Sequence, residues 1–127
     1  MKKTIFAIFL FTITISAQDS LKITNAIRKS FASEKITVAN TAIGFTAATI
    51  NPIVPDQPAS SSRASAAVCS LETGDIRILT SGTPTSSTGL YITAAQSFTI
   101  YGYDDISAFL GIRVTSTSGV INCIYYR

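Results

Sequence analysis

A chain of 127 residues that is 46% hydrophobic and only 13% charged has room for one domain with one core, and this balance excludes global disorder. The formal net charge of +3 is slight, and setting Lys2 and Lys3 aside leaves eight basic against seven acidic side chains. No run of Lys or Arg marks a nucleic-acid footprint, so no nucleic-acid partner is expected.

The first residues read as an export signal. Lys2-Lys3 precede a short apolar run from Thr4 to Ile15, and Ser16-Ala17 offer small residues before Gln18. That arrangement predicts a secretory signal peptide over residues 1–17, cleaved after Ala17. The run is short for a transmembrane helix, which needs about 20 apolar residues. A retained membrane anchor over residues 4–17 and a buried segment are the competing readings, since Thr12-Ile13-Thr14-Ile15 also alternates like a strand. A membrane partner is expected only if the anchor is retained. Residues 18–34 read as a linker or N-terminal arm. Leu21, Ala26, Ile27 and Phe31 would line one side of a short helix there, with a thin amphipathic membrane-binding helix as the alternative.

The strands begin at Lys35, and residues 35–127 read as the folded domain. Ile36 and Val38 share one parity and Ile43 and Phe45 the other, so a bulge or bend is expected near Asn40-Thr41. Pro52, Pro55 and Pro58 recur at every third position, which suits an extended polyproline-type loop between strands, or a proline-rich peptide ligand. Ser65 to Glu72 places Ala67, Cys69 and Leu71 on one face. Ile76 and Ile78, then Leu90 and Ile92, keep period two on either side of a turn containing Gly82, Pro84 and Gly89, which predicts a hairpin. Ser97 to Tyr101 alternates again and would bury Phe98 and Ile100. A polar turn follows at Tyr103-Asp104-Asp105, with a helical turn or sheet-crossing corner from Ile106 to Leu110. Ile112 and Val114 mark a further strand, and Thr115 to Gly119 reads as a hairpin turn. Arg77 and Arg113 alternate with apolar residues, which places them on an outer sheet face, at solvated positions or, as the alternative, paired with a neighbouring subunit.

The closing run Val120 to Tyr126 is apolar at both parities. One sandwich core buries only one parity, so the other needs a cover from the fold or a partner. Ile121, Tyr125 and Tyr126 are therefore the expected interface residues.

Short strands separated by Gly/Pro/Ser turns predict an all-β sandwich or barrel with six or seven antiparallel strands, preceded by the apolar N-terminal segment. Ile76-Arg77 followed by Gly82-Thr83-Pro84-Thr85 and Gly89 resembles the "IRY-x-x-DGT-x-PT-x-x-x-G" pattern of small tailed-phage virion proteins. The similarity continues through Gln96-Ser97-Phe98, Gly102, Ile106, Phe109, Ile112-Arg113, Ser118-Gly119-Val120 and Tyr125-Tyr126-Arg127, and Val38 to Thr46 is similar too. It covers roughly residues 35–127. Ser81 stands where the pattern has Asp, and Ala95-Gln96 where it has Gly-Asp. The resemblance implies a single immunoglobulin-like β-sandwich. It also implies a structural virion component that decorates or cements a capsid or tail, or forms part of a fibre, with itself or other virion proteins as partners. A similar short corner occurs in immunoglobulin-like modules of secreted glycosidases.

The inventory of reactive groups points away from catalysis. Without His, no Ser-His-Asp or Cys-His site and no ordinary transition-metal centre can be assembled. Asp104-Asp105 is the only adjacent acid pair, and it sits in an expected turn whose side chains diverge. A solvated turn is the plain reading, and a calcium ion held with a loop carbonyl is the alternative. No enzyme activity and no cofactor are expected. Cys69 and Cys123 are the only cysteines: a bridge if the protein is exported, two small buried hydrophobes if it assembles in a reducing cytoplasm. Two functions remain open, a virion structural subunit or a secreted bacterial module that binds glycans or surface proteins.

Overall fold

The computed structural model describes residues 29–127. The expected export segment 1–17, its anchor alternative and the arm up to Arg28 lie outside the described residues. Strand β1 spans Ser30–Val38 and so starts before Lys35, where the domain was expected to begin. β2 (Ala66–Thr73), β3 (Ile76–Leu79), β4 (Leu90–Ile92) and β5 (Ser97–Tyr101) follow, then β6 (Leu110–Arg113) and β7 (Gly119–Tyr126). Three short helices lie between them: α1 (Ala47–Ile50), α2 (Ala59–Ser62) and α3 (Tyr103–Ala108). Among the described residues no helix is long and apolar enough to cross a membrane.

The strands form two antiparallel sheets, one of four strands in the order β1-β7-β2-β5 and one of three in the order β4-β3-β6. The expected hairpin is β3–β4, with Arg77 opposite Tyr91. Thr115 to Gly119 is no hairpin turn, because β6 and β7 belong to different sheets and the stretch carries the chain across. The bend after β1 falls at Asn40-Thr41. Beyond it the Ile43 N–H donates to the Gly111 carbonyl at 3.0 Å and the Gly111 N–H to that of Ile43 at 2.8 Å. The first strand thus pairs with β7 in one sheet, and the chain then turns to cover the edge of β6 in the other. The proline segment is not a plain extended loop. It is bracketed by α1 and α2, and the Ser62 hydroxyl meets Asn51 Oδ1 at 3.2 Å.

Both sheets feed one core. Ile36, Val38, Leu71, Ile121 and Tyr125 come from the larger sheet, Ile76, Ile78 and Ile92 from the smaller, and Ile106 and Phe109 pack against them. Each such buried side chain contributes roughly 1.5–3 kcal/mol of transfer free energy. Phe45 stacks on Phe109 with ring centroids 4.1 Å apart and meets Tyr125 edge-on at 5.5 Å. Leu90 shares the parity of Ile92 yet is 62% exposed, because β4 is a three-residue edge strand and only Ile92 turns fully inward.

Candidate functional site

β7 lies between β1 and β2, and these two pairings decide which of its apolar parities faces the core. Ile121, Cys123 and Tyr125 point inward and are all but fully buried, while Val120, Asn122, Ile124 and Tyr126 occupy the outer face. Two of the three expected interface residues are therefore corrected. Ile121 and Tyr125 are enclosed by the chain's own core; of the three, Tyr126 alone stays on the outward side. Tyr125 is held there by its hydroxyl, which donates to the Glu34 carboxylate. That carboxylate also accepts the Thr46 N–H, with its two oxygens at 3.2 and 3.3 Å. Burial first, and the Glu34 bond second, push the Tyr125 phenol well above its ordinary pKa, so it remains a neutral donor. One carboxylate thereby ties β1, β7 and the start of α1 together.

Cys69 and Cys123 stand directly opposite each other on β2 and β7 and are bonded, with Cα atoms 4.1 Å apart. Both are 1% exposed, so the bridge is shielded by the core. It links segments 54 residues apart in sequence.

The outward face of the four-stranded sheet carries the exposed apolar residues. Ile124 on β7 sits opposite Val68 on β2, and they are 46% and 39% exposed. One row away, Tyr126 is opposite Ala66, which is in turn opposite Tyr101, 57% exposed. Toward the other end the face turns to Asn122, Ser70 and Ser97. Its charged strand positions are Lys35 and Glu72, which pair with each other at 3.4 Å. Val68 and Ile124 are not among the residues that the sequence singles out as interface candidates. The signal was present in Val68, whose parity opposes that of the buried Ala67, Cys69 and Leu71.

The residues that carry the virion-like motif have structural work inside the chain. Arg77 donates from Nε to the Ser86 carbonyl at 3.0 Å and from Nη1 to that of Gly89 at 2.8 Å, with its guanidinium 5.2 Å from the Tyr91 ring centroid. Thr85 accepts the N–H groups of Ser87 and Thr88 on its hydroxyl, and Pro84 is fully buried. Gly89 adopts φ +119, and a Cβ there would lie 2.9 Å from the Ile78 carbonyl oxygen. Arg113 likewise donates to the Ser116 carbonyl at 3.0 Å. The two arginines thus keep half-exposed positions and also act as clamps on loop backbone. Asp75 accepts the Tyr91 hydroxyl at 2.6 Å and the Ala94 N–H at 3.1 Å. These bonds, Tyr91's first, hold the Asp75 carboxyl below its usual range and raise the Tyr91 phenol. Asp104 and Asp105 lie exposed in the first turn of α3. Among the described residues no three His, Cys, Asp or Glu side chains gather as metal ligands.

Compared with known proteins, the chain matches no family model, no curated protein and no solved structure.

Proposed function

We propose that the chain is a non-enzymatic structural subunit that works by protein–protein assembly, and that the outward face of its four-stranded sheet makes the contact. The observation that carries this reading is the charge-poor, partly apolar character of that face around Val68, Tyr101, Ile124 and Tyr126. Depletion of charge with retained aromatics is the composition of an interface centre. Four strands at about 4.8 Å and some seven residues at about 3.4 Å make a face of roughly 19 by 24 Å, on the order of 450 Å² in projection. Two such faces packed together approach the about 1,000 Å² that a stable contact buries. Among the described residues its one ion pair is Lys35–Glu72, so its two charges are already paired within the chain.

The finer reading is a subunit of a phage virion, in capsid or tail decoration, cementing or a fibre. It rests on the motif similarity around Arg77 and Pro84. In that reading the domain is immunoglobulin-like in having two packed antiparallel sheets. Its strand order differs from the immunoglobulin order, in which the last strand would extend the smaller sheet. Size-exclusion chromatography with light scattering, run with and without purified virions, tests the proposal. Self-association or virion binding that Val68→Asp and Ile124→Asp weaken by roughly 1–3 kcal/mol supports it. A monomer that ignores virions and binds a polysaccharide instead assigns the chain to the secreted, glycan- or surface-binding class.

A further inference from the structure

The larger sheet stops at β5. Among the described residues β5 pairs with β2 on one side and with no strand on the other. Along its length the ladder alternates. The Leu71 N–H donates to the Gln96 carbonyl and the Gly102 N–H to that of Ser65, so the even positions of β5 face β2. The N–H and C=O groups of Ser97 and Thr99 consequently point away from the sheet. Beside this edge lies a groove of about 400 Å³, walled by Ile78 of β3, Leu90 of β4 and Phe98 and Ile100 of β5. The exposed Leu90 forms part of that wall, and a strand added to β5 would lay every second side chain over it.

We propose that this edge and groove form a strand-accepting site, and that its occupant is the stretch Leu21 to Ile27 of a second copy of this chain. The contact is separate from the outward sheet face and goes beyond the assembly reading. An extended peptide suits the site because its backbone meets the outward amides of β5 while its apolar parity fills the groove. The stretch lies outside the described residues, and its sequence has the needed pattern. Leu21, Ile23 and Ile27 share one parity, interrupted once by Asn25, and Lys22, Thr24, Ala26 and Arg28 share the other.

Reach identifies the donor as another copy. Lys29 is bonded to Arg127 at the β1 side of the sheet, three strands from β5. A new strand beyond β5 is about 19 Å from that point, at about 4.8 Å per strand. Residues 28 back to 21 span roughly 26 Å at full extension, so crossing the sheet consumes about six of them. Too few remain to lie along β5 of the same chain.

The test uses the full chain carrying Ile124→Asp, which silences the sheet-face contact, studied by analytical ultracentrifugation. Leu90→Asp spoils the acceptor and Ile23→Asp spoils the donor; Leu90 is already mostly exposed, so its replacement leaves the core intact. Each change alone is expected to weaken association at least about tenfold. Mixed together, the two proteins should form a one-to-one complex, because one retains a donor and the other an acceptor. Thr99→Pro provides a second acceptor variant that deletes an outward N–H and spares the ladder to β2. A mixture that stays monomeric, or an Ile124→Asp chain that shows no association at its highest soluble concentration, overturns the proposal. Loss of association in Val68→Asp and Ile124→Asp with none in Leu90→Asp would remove this contact while leaving the assembly reading in place.

Discussion

Replacing both Cys69 and Cys123 by Ala removes the link between β2 and β7, and its cost follows from the 54 residues it closes. The loop-closure relation gives about 14 cal/mol/K for that separation, or about 4 kcal/mol at 25 °C. Ala is the right replacement at two sites that are 1% exposed, because Ser would bury a hydroxyl that needs a partner. A domain of this size loses about 4–8 °C of Tm per kcal/mol, so the double variant should melt roughly 15–30 °C below the parent. Differential scanning calorimetry of both proteins, with intact mass to count thiols, measures this directly. The parent should lose a similar increment in reductant and the variant none. A drop under about 5 °C from a fully bridged parent would refute the entropic reasoning, since it would mean the unfolded chain is already confined near its native pairing.

Two further outcomes follow from single residues. Asp75 has its folded pKa depressed below 3.8, so its bonds to Tyr91 and Ala94 contribute stability that is complete above the ordinary carboxylate value and is lost as pH falls through the folded one. Urea midpoints of Asp75→Asn should therefore fall less than those of the parent between about pH 5 and about pH 2, and parallel curves would contradict the assignment. Ala95 holds φ +67, a left-handed conformation costing a side-chain-bearing residue roughly 1–2 kcal/mol, against an entropic penalty of about 0.5–1 kcal/mol for glycine. Ala95→Gly should thus raise Tm by a few degrees, and an unchanged or lower Tm in a thermal melt would reject this.

Much of the strand content is legible in the sequence because its signals are local. The parity change between Val38 and Ile43 demands a bend, and the chain bends at Asn40-Thr41. Ala67, Cys69 and Leu71 share a parity and share the core. What stays hidden is set by pairing across long separations. Both parities of Val120 to Tyr126 are apolar, so nothing local reveals that Tyr125 turns in, and its inward lock is Glu34 on a strand far back in the chain. The same holds for the insertion of β7 between β1 and β2, which depends on register and not on residue type. Arg77 reads as solvated because its partners, the carbonyls of Ser86 and Gly89, become neighbours only when the loop closes. The left-handed corner at Ala95 is masked for another reason: the residue there is not the glycine such a corner favours.

The backbone bonds between Lys29 and Arg127 put the two ends of the described domain side by side, at one pole of an antiparallel ladder. Tension drawing those ends apart acts along the hydrogen bonds instead of across them, and it meets the β1–β7 rungs one after another, like the teeth of a zip. β1 comes away first, baring Ile36 and Val38 at modest force, because no single moment loads more than one rung. The pull then arrives at β7, where the sulfur bridge at position 123 is covalent and does not yield. The domain is in this sense a mechanical fuse with a stop: a soft first strand that lengthens under load, and a remainder that stays clasped.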